Sequence, residues 1–280
     1  MSDTDGDWER DLGAVLERVS RLSAGYNRAY ETPILSGSVR AQDDVATHGL
    51  TIGIHAEYCL VQAVDMCEGI RTLLADEDGL RIPLAASYPL ARAAIESASL
   101  AVWMMKPADR RDRVVRRLQA ASSELKYERA FIKSATGQGA TSHQAAARRA
   151  NARGTKVVRA TMREIAKAHR IEAEEYEQAM PGWESIVSDA SDILYGKQRG
   201  SLVGAWRFTS GLTHPSALRG LIAHVFDPED EGGNRGEVSG SIEWITSTAF
   251  VAEALTRKAI VRLVEAKLQL EASTAPSDAG

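Results

Sequence analysis

Arg207, Ser210 and His214 stand at positions i, i+3 and i+7 of the stretch WRFTSGLTHP, residues 206–215. On a continuous helix that spacing would align them over two turns. Pro215 disfavours helical geometry at His214 and suits the first turn of a new helix, so PSALRGLIAHVF is expected to start a helix with His214 near its cap. The exposed amides at such a start favour anions. An imidazole beside a phosphate can act as general acid or base, and a guanidinium stabilises charge on phosphoryl oxygens. With the 2'-hydroxyl of RNA as nucleophile, that chemistry needs no metal. The same residues also fit a polar knot that fixes helix packing.

Arg92 and Glu96 raise a second question, because they lie one turn apart in IPLAASYPLARAAIESASLAVWMM (82–105), which is apolar almost all round. They share a face with Ser99 and Trp103. One reading is a buried ion pair that sets helix register. The other makes Arg92 a clamp for phosphate or carboxylate, oriented by Glu96. The run is long enough to span a membrane, but each central charge costs about 2.5–3.5 kcal/mol there. A buried helix of a bundle explains it better, and no membrane partner is expected.

His48 and His55, with Asp44 and Cys59, form a stripe on a helix expected over about 43–75. Metal-binding helices usually offer ligands three or four residues apart, so no metal or other cofactor is expected. Cys59 and Cys67 are separated by roughly 12 Å along one helix, beyond disulfide reach. No Walker loop, Gly-rich dinucleotide turn, zinc-type cysteine pairing or nucleophile elbow appears.

Arg207 and His214 form Arg-x6-His in an all-helical context, which resembles the Arg-x4-6-His motif of the HEPN superfamily of helical nucleotide-binding and ribonuclease domains. The resemblance implies an RNA-binding protein or metal-independent ribonuclease, of the toxin or defence kind, that dimerises to place two motifs across a basic cleft. His214 would then be the acid/base, Arg207 the phosphate stabiliser and Ser210 the group that orients one of them. Arg92, Glu96 and Arg199 would bind substrate. A looser likeness, to uncharacterised bacterial helical proteins that pair an Arg-x3-Glu helix ending in Trp with a later Ser-x3-His-Pro segment, implies no activity. The residues themselves leave a different class open: a non-catalytic helical scaffold or regulatory protein, dimeric, with the same groups in a hydrogen-bond network.

The elements that position these residues read as helices. Leu12, Val15, Leu16, Val19 and Leu22 recur at spacings of three and four over 8–30. Further helices are expected at about 83–106, over DRRDRVVRRLQAASSELKYERAFIK with Val114, Leu118, Leu125 and Phe131 inward and its arginines outward, and over SHQAAARRANARGTKVVRATMREIAKAHR. A short helix WESIVSDASDILYG, one over 197–213 and an amphipathic helix from about Ser241 to Glu271 follow. The last offers Trp244, Phe250 and Leu255 to a second copy of the chain. The acidic, Gly-rich stretch at about 227–240 is expected to be a flexible loop and about 272–280 a disordered tail. No strand is evident, which predicts an all-α fold: one domain over 1–280, an irregular bundle of about seven to nine helices.

Composition agrees with a globular chain: 44% apolar and 26% charged residues exclude a disordered or fibrous class. MSDTDGDWER has no apolar run behind a basic cluster, so a cytoplasmic address is expected. The net charge of -4 conceals an asymmetry, since Lys106–Arg170 holds half of the chain's 34 Lys and Arg residues. Such a block serves either as a footprint for phosphates or as a partner for the chain's own acidic helices.

Overall fold

The computed structural model describes residues 3–76, 79–135, 141–177, 180–195, 200–228 and 236–271. Of the described residues, 79% are helix and 5% strand, in keeping with the 3.6-residue period of the apolar positions. Among the described residues there are eleven helices of seven residues or more, beyond the seven to nine expected, and two single-turn pieces. The excess arises where one periodic segment is two helices. Residues 8–30 fall into α1 (Asp3–Ser20) and α2 (Leu22–Glu31), and the segment expected as one helix over 43–75 is α3 (Val39–Ala46) and α4 (Ile52–Leu74). Between these, Gly49 sits at φ +87°, a conformation strained for any residue with a side chain. The Thr47 hydroxyl accepts from Ile52 N at 3.1 Å, and Asp44 Oδ1 from Gly53 N at 3.1 Å, so the break supplies α4 with its own caps. The histidine stripe is thereby divided: His48 lies in the break and His55 in α4.

The chain continues through α5 (Ser87–Met105), α6 (Arg110–Ala135), α7 (Ser142–Ala168), α8 (Ala173–Glu177), α9 (Trp183–Ala190), α10 (Asp192–Tyr195), α11 (Gly200–Leu212), α12 (Ala217–Ala223) and α13 (Ile242–Leu268). Asp109 caps α6 by accepting from Arg111 N at 2.7 Å. Thr141 and Gln144 form a reciprocal capping box at the start of α7.

Strand content is a correction to the sequence reading. Besides the two-residue pair β1 (Ala75–Asp76) and β2 (Gly79–Leu80), the expected flexible loop contains half of an antiparallel hairpin. β3 (His224–Pro228) pairs with β4 (Gly236–Gly240), with Phe226 opposite Val238. Backbone pairing there needs no long apolar run, so the acidic, Gly-rich composition concealed it. Residues 229–235 between the strands lie outside the described residues, as does the tail expected at 272–280.

The chain forms two compact units, each discontinuous in sequence. Unit 1 comprises Met1–Thr32, Ala56–Trp103 and Trp183–Val264. The expected stripe Leu12, Val15, Leu16, Val19 and Leu22 is buried there. Ala56, Ala63, Ala91, Ala94, Ala98, Ala252 and Ala259 are fully buried too, and such small side chains let helix axes approach closely. Cys59 and Cys67 are buried in this core and form no disulfide. Leu255 is buried, and Trp244 stacks on Phe208 at a centroid distance of 4.4 Å. Two of the three α13 residues expected to face a second copy are therefore used within the unit; Phe250 remains exposed.

Unit 2 comprises Pro33–His55, Met104–Gly182 and Glu265–Gly280. Its apolar cluster joins Val114, Leu118 and Ala121 of α6 to Met162, Ile165 and Ala166 of α7 and to Ile171 and Tyr176. Leu125 packs against this cluster, whereas Phe131 is exposed, contrary to expectation. The segment after α13 runs back along the start of the unit: Leu35 N donates to Lys267 O, Val39 N to Gln269 O and Glu271 N to Gly37 O.

Among the described residues, no helix is long and apolar enough to cross a membrane. The 82–105 run is α5 with its leading turn, and Ala91, Ile95, Ala98 and Val102 bury its inner face.

Candidate functional site

The motif segment belongs to unit 1. α11 carries Trp206, Arg207, Phe208 and Ser210 and ends at Leu212, leaving His214 in the bend before α12. The helix end expected near residue 213 is thus observed, but the cap of the next helix is Ser216, whose hydroxyl accepts from Arg219 N at 3.4 Å. With Pro215 between them, the cap falls two residues past His214. Gly211 within the motif has a packing reason: a Cβ there would lie 3.0 Å from Arg219 Cγ.

Phe208 is buried, held edge-on by Tyr88 at 5.6 Å and face-on by Trp244. That anchor fixes the rotation of α11 and turns Arg207 outward. Arg207 Nη2 lies 2.6 Å from Glu184 Oε1 of α9, and both side chains are more than half exposed. Glu184 also borders an open recess with Ser185, Ser188 and Asp189, so two carboxylates are among the described residues that line that surface. His214 is exposed and Ser210 half-buried. Among the described residues, no hydrogen bond or ion pair links Arg207, Ser210 and His214 to one another.

On the neighbouring face of α11, Trp206 reaches Glu96. Its Nε1 donates to Glu96 Oε1 at 2.9 Å, and Arg92 Nε donates to the same oxygen at 2.9 Å. The Arg92 and Glu96 side chains are 24% and 18% exposed, so the pair is half-buried rather than sealed in a core as the sequence suggested. Arg199 lies outside the described residues.

A sealed ion pair is elsewhere, in unit 2, and involves Arg113, one of the α6 arginines expected to face outward. Arg113 of α6 is 2% exposed and Asp43 of α3 is 3% exposed. The guanidinium donates to Asp43 from Nε at 2.8 Å and from Nη2 at 2.9 Å, to the Pro107 and Ala108 carbonyls from Nη1 at 2.8 and 2.7 Å, and to Glu271 Oε1 from Nη2 at 2.7 Å. All of its N–H capacity is thus taken. Arg110 also binds Glu271, through Nε at 2.9 Å. Burial works to raise the Glu271 carboxyl, and hydrogen bonds from Arg110 and Arg113 outweigh it, so the net direction is down. A helical-wheel signal existed: Arg113 and Arg117 flank Val114, Leu118 and Ala121 on α6. A helix with five arginines in its first two turns nevertheless reads as solvated.

His55 is also buried in unit 2. Its Nε2 lies 3.2 Å from Glu124 Oε1, and burial, aided by the nearby Arg117 charge, lowers the imidazole to about 4. The ring is therefore neutral near pH 7. It donates from Nε2, and Nδ1 is left buried without a partner among the described residues. No cluster of three or more potential metal ligands occurs among the described residues.

The described residues form a mostly helical protein in which the Arg92–Glu96–Trp206 group of unit 1 is half-open and the Arg113–Asp43–Glu271 group of unit 2 is sealed. No protein-family model, curated protein or solved structure matches the chain.

Proposed function

We propose that the protein is a non-catalytic helical scaffold or regulatory protein that works as a homodimer. The observation that carries this reading is that the charged groups of the candidate site are engaged with one another: Glu96 with Arg92 and Trp206, and Arg207 with Glu184. A phosphate stabiliser held by a carboxylate on an acidic surface is poorly placed for a polyanion, whose affinity depends on uncompensated cations. The dimer is supported by apolar side chains on two consecutive elements. Leu218 and Leu221 of α12 are 78% and 79% exposed, and Val225, Phe226 and Val238 of the hairpin are about half exposed; surfaces of this kind mark association sites.

The second reading is the HEPN-like one, an RNA-binding protein or metal-independent ribonuclease of the toxin or defence kind. It is favoured by the exposure of Arg207 and His214, which leaves both reachable by a substrate. Labelled single-stranded RNA incubated with the purified protein in chelator separates the two. The proposed function requires no cleavage above a protein-free blank. Cleavage that persists in chelator and disappears in His214→Ala establishes the ribonuclease instead.

A further inference from the structure

A recess of about 350 Å³ in unit 2 is bordered by α6, α7 and α8. Its cations are Lys126 of α6 and Arg159 and Arg163 of α7, all three exposed and all drawn from the basic block. Beneath them the wall is apolar, with Leu125, Met162 and Tyr176, the last two 4% exposed. The volume falls within the range of small-ligand pockets.

None of the three cations of this recess forms an ion pair among the described residues, and Glu177 supplies one carboxylate against their three charges. Arg40, Arg110, Arg111 and Arg113 each reach a carboxylate. Arg159 and Arg163 form no ion pair among the described residues, although they stand one turn apart on α7, where like charges repel. Lys126 Nζ donates to the Glu177 carbonyl at 3.1 Å, which fixes the ammonium at the rim and leaves two of its three protons for a ligand. The Glu177 carboxylate, also on the rim, suits a hydroxyl or amino group.

We propose that this recess binds a small organic phosphate, with its apolar body on Leu125, Met162 and Tyr176 and its phosphate held by Lys126, Arg159 and Arg163. A pocket of this size admits one nucleotide-sized molecule. The site goes beyond the scaffold reading and stands or falls independently of it, because it shares no residue with the motif segment.

Pyridoxal 5'-phosphate is a suitable probe, being an aromatic phosphate with an aldehyde that can report on Lys126. The aldehyde condenses with the Lys126 amine with loss of water, borohydride reduces the imine to a secondary amine, and peptide mass spectrometry locates the label. Pyridoxal, which lacks the phosphate, is the control. We expect Lys126 to be labelled about tenfold faster by the phosphate than by pyridoxal. Inorganic phosphate should suppress this preference, and R159Q/R163Q, which changes only exposed side chains, should abolish it while leaving the circular dichroism spectrum unchanged. Equal labelling by the two aldehydes would overturn the proposal, as would a preference that survives in the double variant or one matched at the exposed Lys133 and Lys156. Protection of Lys126 by an RNA oligomer far better than by a mononucleotide would reassign the surface to RNA and sink the small-molecule assignment.

Discussion

Arg113 and Asp43, 70 residues apart in the chain, meet as a two-pronged pair inside unit 2, with neither side chain more than 3% exposed. Glu271 completes the guanidinium's coordination from the far end of the sequence. Taking such charges out of water is expensive, and what offsets it is the completeness of the hydrogen bonding. Single removals are therefore worse than paired ones. Asp43→Asn should lower stability by about 3 kcal/mol, whereas Asp43→Asn with Arg113→Met should lose less. Urea denaturation of the two variants provides the comparison. An unchanged midpoint in Asp43→Asn would mean that Glu271 alone neutralises Arg113.

The buried His55 makes stability depend on acid. Its folded value near 4 is below the unfolded value of about 6.5, so between those limits the unfolded chain binds a proton that the folded chain does not. Stability should fall as pH drops from about 6.5 to about 4 and gain no further loss from this group below that. The full effect is at most about 3 kcal/mol. Glu124 acts in the opposite sense, because burial raises its carboxyl against the pull of Arg117. Subtracting the pH–stability curve of His55→Gln from that of the wild type isolates the histidine, and a flat difference across this window would show the ring to be solvated.

Trp206 holds α11 to α5 through one hydrogen bond to a half-buried carboxylate. Trp206→Phe keeps most of the ring and removes the donor, so it should cost about 1 kcal/mol. Glu96→Ala strands both Trp206 Nε1 and Arg92 and should cost about 2 kcal/mol, less than for a sealed pair because Arg92 can reach water. Thermal melts that rank the two variants in the reverse order would contradict the network.

The α12 surface should govern association. Leu218→Asp with Leu221→Asp places two charges where a partner would exclude water, and light scattering should report a dimer for the wild type and a monomer for the variant. Both leucines are more than three-quarters exposed, so the fold should be unaffected. A wild type that stays monomeric at high concentration removes the dimer altogether.

Much of the helical framework was legible because it is written locally. Leu12 through Leu22 repeat with the helix and are buried as the repeat requires, and Asp109 before α6 caps it as its residue type suggests. What was not legible depends on residues far apart in sequence. Nothing near Arg113 announces Asp43 or Glu271, so the arginine was read as solvated. β3 and β4 are defined by each other's backbone across seven intervening residues, and no side-chain pattern marks either. The break at Gly49 is only one turn long, and an apolar period has no means of recording it. In the candidate site, the spacing of Arg207 and His214 was visible, but the competing partner Glu184 sits 23 residues upstream on another helix.

The Arg113–Glu271 contact spans 158 positions, and that interval is also a time. At ordinary rates of translation, Arg113 leaves the ribosome roughly 8 to 30 seconds before Glu271 is made. Through that delay the nascent chain carries Asp43 and Arg113 without their third partner, and the stretch 33–39 without the backbone groups of 267–271 that it bonds. Every described segment of unit 1 has been synthesised by then, since its last residue is Val264. Assembly is thus ordered by the direction of synthesis: unit 1 has all of its sequence first, and unit 2, although it begins at Pro33, closes only when the final turn of α13 and the residues after it emerge.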